Sequence, residues 1–182
     1  MKKQAHSLCT TALRTYWRCQ DGAAAAELAL VLVLLVVPVL NVIDLGTYVY
    51  DAMELNNAAQ SAAQVAWAQC AATGKVPATI NSNCPGLSAA MATAAQTTSL
   101  GSGVTVSSTT EKWCCPGASN AALVCQGLVS TTPSNCGGSS GPAPGDYIFV
   151  TVSYSYSPAY SAVSIASVLT SPITHTAWMR LS

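Results

Sequence analysis

Residues 23–43 form a run of 21 residues whose only charge is Glu27, and no other feature constrains the fold of this chain as much. As a helix rising about 1.5 Å per residue, the run is roughly 31 Å long, enough to cross the hydrocarbon of a bilayer. Thirteen of the residues from Leu28 to Ile43 are Leu, Val or Ile. Each favours insertion by roughly 0.3–0.6 kcal/mol, about 4–8 kcal/mol together, while Glu27 near one end costs at most about 3 kcal/mol. The balance favours insertion, so the run predicts a single transmembrane helix.

The charges around the run set its orientation. Residues 1–20 carry Lys2, Lys3, Arg14 and Arg18 and no acid, although the whole chain balances 7 basic against 7 acidic residues. Such a basic leader is retained on the cytoplasmic side, which puts residues 44–182 outside. A cleaved secretory signal has a shorter apolar region, about 7–15 residues, ending at a small-residue site. Here the run continues into Asn41-Val42-Ile43-Asp44, and Cys9 and Cys19 both precede it, which also excludes a lipoprotein signal. Only 8% of residues are charged, against about 25% in an ordinary soluble domain. Beyond residue 20 the bases are Lys75, Lys112 and Arg180, too few and too scattered for a nucleic-acid surface.

Asp21-Gly22-Ala23-Ala24-Ala25-Ala26-Glu27 joins the leader to the span. A cut after Gly22 would leave 160 residues with Glu27 fifth, one helical turn from the new amine of Ala23. A carboxylate in low dielectric is costly unless paired, so Glu27 would seek an amine, its own or a neighbouring subunit's. Alternatively Glu27 lies among the headgroups, favoured by the helix dipole and needing no partner. Physics alone leaves both readings open. Glycine, four residues and glutamate between a basic leader and an apolar span resemble type IV pilin-like precursors.

The resemblance narrows with the residues that follow. Gly22-Ala-Ala-Ala-Ala-Glu27-Leu-Ala-Leu-Val, Ile43-Asp44-Leu45-Gly46, Leu55-Asn56-Asn57-Ala58-Ala59-Gln60 and Ala62-Ala63-Gln64-Val65-Ala66 together resemble the N-terminal region of TadE-like pseudopilins of tight-adherence (Flp) pilus systems. The likeness covers residues 20–70, touches 150–154 and 173–180, and is silent over 71–145. It implies a bacterial inner-membrane precursor, cut between Gly22 and Ala23 by a prepilin peptidase, that acts structurally as a minor component of pilus assembly. The implied partners are membrane lipid, the peptidase, and other pilins and pseudopilins through the N-terminal helix. The implied placement is single-pass, N-terminus cytoplasmic and head periplasmic, with entry into an extracellular pilus left open. No nucleic acid, small-molecule substrate or cofactor is implied. The alternative is an uncleaved single-span periplasmic binding or envelope protein.

Past the span, Tyr48, Ala52, Leu55, Ala59, Ala62 and Ala66 recur at spacings of 4 and 3, a heptad seam on a helix expected to run to about Cys70. Small residues let another backbone approach closely, so the seam suits either the chain's own head or a neighbouring helix. Gly74 and Pro77 should end the helix. The expected sequel is a loop at 71–86, a short helix at 87–98, a strand at 104–113, an irregular segment at 114–145, and strands at 147–156 and 173–181 that pair antiparallel. The period-2 pattern puts Ile148, Val150, Val152, Tyr154 and Tyr156 on one face. The expected class is α+β: a long transmembrane helix continuing into a pilin-like, disulfide-stapled head with a small antiparallel sheet. The expected organisation is a leader at 1–22, a span at 23–43, a helical extension at 44–72 and an exported head at 73–182.

Cys70, Cys84, Cys114, Cys115, Cys125 and Cys136 lie in the exported part and read as a disulfide framework of an oxidising compartment. Six cysteines allow 15 pairings. Cys70 with Cys84 would tie the helix end to the next loop. Adjacent cysteines rarely bond each other without strain, so Cys114 and Cys115 are expected to pair separately with Cys125 and Cys136, in either order. Cys114-Cys115 lacks the spacer of zinc ligands and has no histidine nearby, so no metal is expected. A Ser-His-Asp hydrolase could draw only on His175, with Asp146 or Asp51, and a strand position explains that histidine more simply. Neither a phosphate-cradling loop nor a Cys-x-x-Cys pair occurs. No catalytic, cofactor-binding or metal residue is expected.

Overall fold

A computed structural model of the chain describes the backbone of residues 4–78, 83–116, 123–128, 136, 141–169 and 171–182, with side chains from residue 24 onward except 116 and 126–128. One helix, α1 (Gln4–Gln69), dominates it, with Pro38 inside. At about 1.5 Å per residue its 66 residues reach roughly 99 Å, longer than the helix expected from residue 23 because residues 4–22 are helical as well. α1 ends in a 3-10 turn, Ala71–Thr73, closed by Gly74 at φ 70°, a left-handed conformation that glycine adopts without a Cβ clash. A second helix, α2 (Leu87–Ala95), stops short of residue 98.

Four strands follow, β1 (Val104–Pro116), β2 (Leu123–Leu128), β3 (Gly145–Tyr154) and β4 (Ile173–Arg180), in one antiparallel sheet of order β2-β1-β3-β4. The β3–β4 pairing read from the sequence is present, with Tyr147 opposite Arg180 and Tyr154 opposite Ile173. The strand β2 lies inside the segment expected to be irregular. It has only six residues, one of them Gly127, and it extends the sheet by pairing with the far end of β1.

The inward face of the sheet carries Ile148, Val150 and Val152, fully buried as the alternation requires. A bulge between Val106 and Ser108 shifts the β1 register, so that Val106 faces Val152 and Thr109 faces Val150. Against this face lie α2, through Leu87, Met91 and Ala95, and the alanine seam of α1. Leu55, Ala59, Ala62 and Ala66 are fully buried, Tyr48 and Ala52 half-buried, and Ala58 and Ala63 widen the stripe beyond the heptad pattern. The seam is therefore spent on the chain's own head. Ser61 adds a polar tie, its hydroxyl donating to the α2 carbonyl of Ala94 at 3.1 Å.

Three disulfides staple this head. Cys70–Cys84 joins the end of α1 to the approach to α2, Cys114–Cys125 crosses directly between β1 and β2, and Cys115–Cys136 ties the end of β1 to the segment before β3. The choice left open between the two partners of Cys114 and Cys115 is decided by the β1–β2 register, which sets Cys114 opposite Cys125.

Candidate functional site

The junction Gly22–Glu27 lies within the continuous backbone of α1, and Glu27 is exposed. From Ala24 to Val39 every residue is exposed, Leu34 at 71%. Ordinary soluble chains do not leave an apolar helix this long uncovered. By length and composition this stretch is compatible with a single membrane span.

Where this surface ends, the chain clamps the helix. Asp44 is fully buried, and its carboxylate accepts the backbone N–H of Ala159 at 3.1 Å and of Tyr160 at 3.2 Å. The Tyr156 hydroxyl donates to the Asp44 carbonyl at 2.8 Å, and its ring meets Tyr48 edge-on at 5.1 Å. One turn earlier, Asn41 accepts the N–H of Ile165 at 2.6 Å and donates to the Val163 carbonyl at 3.1 Å and the Val37 carbonyl at 2.8 Å. Residues 41 and 44 share a helix face, so one polar edge holds the whole β3–β4 connection. In the sequence Asp44 closes the apolar run and sits in the Ile43-Asp44-Leu45-Gly46 motif, neither of which points to a clamp; the i, i+3 spacing of two polar residues at that point was the available signal.

A second buried acid sits in the head. Asp146 is fully buried at the start of β3, and Glu111, 1% exposed on β1, accepts the Ala78 N–H at 2.8 Å. Burial first, then a hydrogen bond to Glu111 and the Glu111 charge, push Asp146 up to about 7. Neither Asp146 side-chain oxygen meets a donor among the described residues. A hydrogen bond between two carboxyls needs a proton on one of them, and the raised Asp146 supplies it.

These groups do not assemble a catalytic centre. His175 pairs with Val152 and Asp146 with Trp113, six residues apart along β3, or roughly 20 Å at about 3.3 Å per residue. Asp146 therefore cannot orient His175. Gly137-Gly138-Ser139-Ser140-Gly141 spells Gly-x-Ser-x-Gly, and residues 137–140 lie outside the described residues. A nucleophile elbow leads from strand into helix, whereas the next element after Gly141 is the strand β3. Among the described residues no three of His, Cys, Asp and Glu gather as metal ligands, and the six cysteines from Cys70 to Cys136 are all in disulfides.

The elements with a distinctive surface are thus the junction, the exposed apolar length of α1 and the polar edge that clamps the head. A family model described as TadE-like protein matches residues 22–64, beginning at the junction glycine. Searches of the curated proteins and of the solved structures return no match. Residues 22–64, from Gly22 through the uncovered apolar length of α1 and into its buried alanine seam, are a TadE-like region.

Proposed function

We propose that the chain is a minor pseudopilin of a tight-adherence (Flp-type) pilus system, made as a precursor and cut by a prepilin peptidase between Gly22 and Ala23. Its work is structural: α1 anchors the precursor in the inner membrane, N-terminus cytoplasmic, and later packs against other pilin-type helices. The observation that carries this reading is one continuous helix with Gly22 and Glu27 at the head of an uncovered apolar length, inside a TadE-like region. Glu27 is exposed, so its carboxylate is available to the Ala23 amine of a neighbouring subunit and would set the axial register between helices. Cleavage requires the helix to open around Gly22, where glycine costs a helix about 1 kcal/mol relative to alanine. The disulfide-held head is left facing the periplasm or the fibre surface.

The test is intact-mass and N-terminal peptide analysis of protein from membranes of its own host. The expected chain starts at Ala23, and Gly22→Leu leaves the precursor uncut and abolishes piliation. A wild-type chain starting at Met1 refutes the processing and leaves an anchored envelope protein.

A further inference from the structure

The connection between β3 and β4 is built inside out for a loop in water. Its small residues Ser164 and Ala166 are buried against the head, while Tyr160, Val163, Ile165, Val168 and Leu169 face outward, Val168 at 86% and Ile165 at 63% exposure. No Asp, Glu, Lys or Arg occurs anywhere from residue 147 to 179. Its position along α1 is fixed by the clamp: the Ile165 N–H sits on Asn41, two residues before the end of the apolar run, and Tyr160 sits on Asp44, one residue after it. The uncharged, apolar face of the connection is thus continuous with the last turn of the exposed apolar helix.

The backbone is equipped for the same place. Near hydrocarbon, irregular backbone needs its N–H and C=O groups satisfied internally. Val163 and Ser164 donate to the Tyr160 carbonyl at 3.0 Å each, Leu169 donates to Ala166 at 3.1 Å, Ser164 caps the 3-10 turn Ile165–Val168, and Asn41 takes both the Ile165 N–H and the Val163 carbonyl. A side-chain amide inside an apolar span is costly unless bonded, and this strap satisfies it. Tyr160, 41% exposed at the level of Asp44, belongs to the residue type enriched at membrane interfaces.

We propose that residues 160–169 are a lipid-contacting element that rests in the outer interfacial layer of the bilayer crossed by α1. The occupant of this face is lipid. Held at Asn41 and Asp44 and seated in the interface, the strap fixes the rotation and tilt of the head over the membrane, which a single helix leaves free. The proposal rests on the reading of α1 as a membrane span.

The experiment places one dansylalanine, by stop-codon suppression, at residue 168, 163, 34 or 124 of the full chain in phosphatidylethanolamine/phosphatidylglycerol vesicles containing nitroxide-labelled lipid. Residue 34 reports the span and residue 124, exposed on β2, reports water. The expected result at 168 and 163 is emission shifted to the blue of that at 124, with greater loss of intensity to a shallow nitroxide than to a deep one, the reverse order holding at 34. Emission at 168 and 163 equal to that at 124, with 34 quenched, overturns the strap's role and leaves the span intact. Blue-shifted but unquenched emission at 168 also overturns it, because the cover is then another protein chain. An unquenched reporter at 34 overturns the span, and the proposal with it.

Discussion

Replacing Asp146 by Asn isolates the most heavily perturbed group in the head. Its carboxyl is fully buried and raised from 3.8 to about 7 by burial and by Glu111. The folded value lies above the unfolded one, so the group's relative stabilisation is complete below about pH 3.8 and is lost as pH rises through about 7. At about 1.36 kcal/mol per pH unit, the interval corresponds to a loss of up to roughly 4 kcal/mol between acid and pH 8. Asn keeps the shape and cannot ionise. The assay is denaturant unfolding of the full, disulfide-intact chain in detergent, followed by tryptophan fluorescence from pH 4.5 to 8.5. Wild type should lose about 2–4 kcal/mol over that range, and Asp146→Asn should lose little, so that the variant is the more stable protein at pH 8. Asp51 is also raised by burial, and the comparison with the variant removes its contribution. A wild-type curve that is flat or rises with pH, or an Asp146→Asn curve that keeps the wild-type slope, refutes the assignment of a raised Asp146.

The seam and the staples give two further tests. Ala62 is fully buried between α1 and the head, so Ala62→Leu should overpack the seam and cost about 1–3 kcal/mol in the same unfolding assay. Converting Cys114 and Cys125 together to Ser opens a crosslink of sequence separation 11, which should cost about 3 kcal/mol on the chain-entropy argument. Hydrogen exchange should then show β2 losing protection while the β1–β3–β4 ladder keeps it.

What the sequence revealed and what it hid follow from the range of the interactions concerned. The strands β3 and β4 carry strong alternation or β-branched composition and needed no knowledge of their partners. The seam was visible because Ala and Leu recur at helical spacing. By contrast β2 has neither length nor alternation; its pairing with β1 decides its conformation, and that information is stored in the register at Cys114 and Cys125. The strap was missed for the same reason. Asn41 and Asp44 find partners 124 and 115 residues away, and nothing local in residues 157–169 says which helix they will meet. Glu111 and Asp146 are 35 positions apart and meet only because two antiparallel strands bring them together. Gly22 and Glu27 stand out by spacing and position alone, with no tertiary partner, and the roles proposed for them rest on that pattern.

The side chains of α1 change in size along its length. From Leu28 to Ile43 thirteen of its sixteen residues are Leu, Val or Ile, and the chain covers almost none of them. From Ala58 to Ala66 its buried positions are all alanine, pressed against the sheet and α2. Large aliphatics maximise the area removed from water when the surrounding medium is fluid and needs no fixed fit. Alanines minimise the distance between backbones when the partner is a rigid sheet that must be matched atom by atom. The two regimes meet between Asn41 and Tyr48, the stretch where the strap and Tyr156 attach. Placing the polar clamp there separates the uncovered length of α1 from the length committed to the head. Under the proposed function, a subunit that exchanges lipid neighbours for protein neighbours along the first length keeps the second, and the head on it, unchanged.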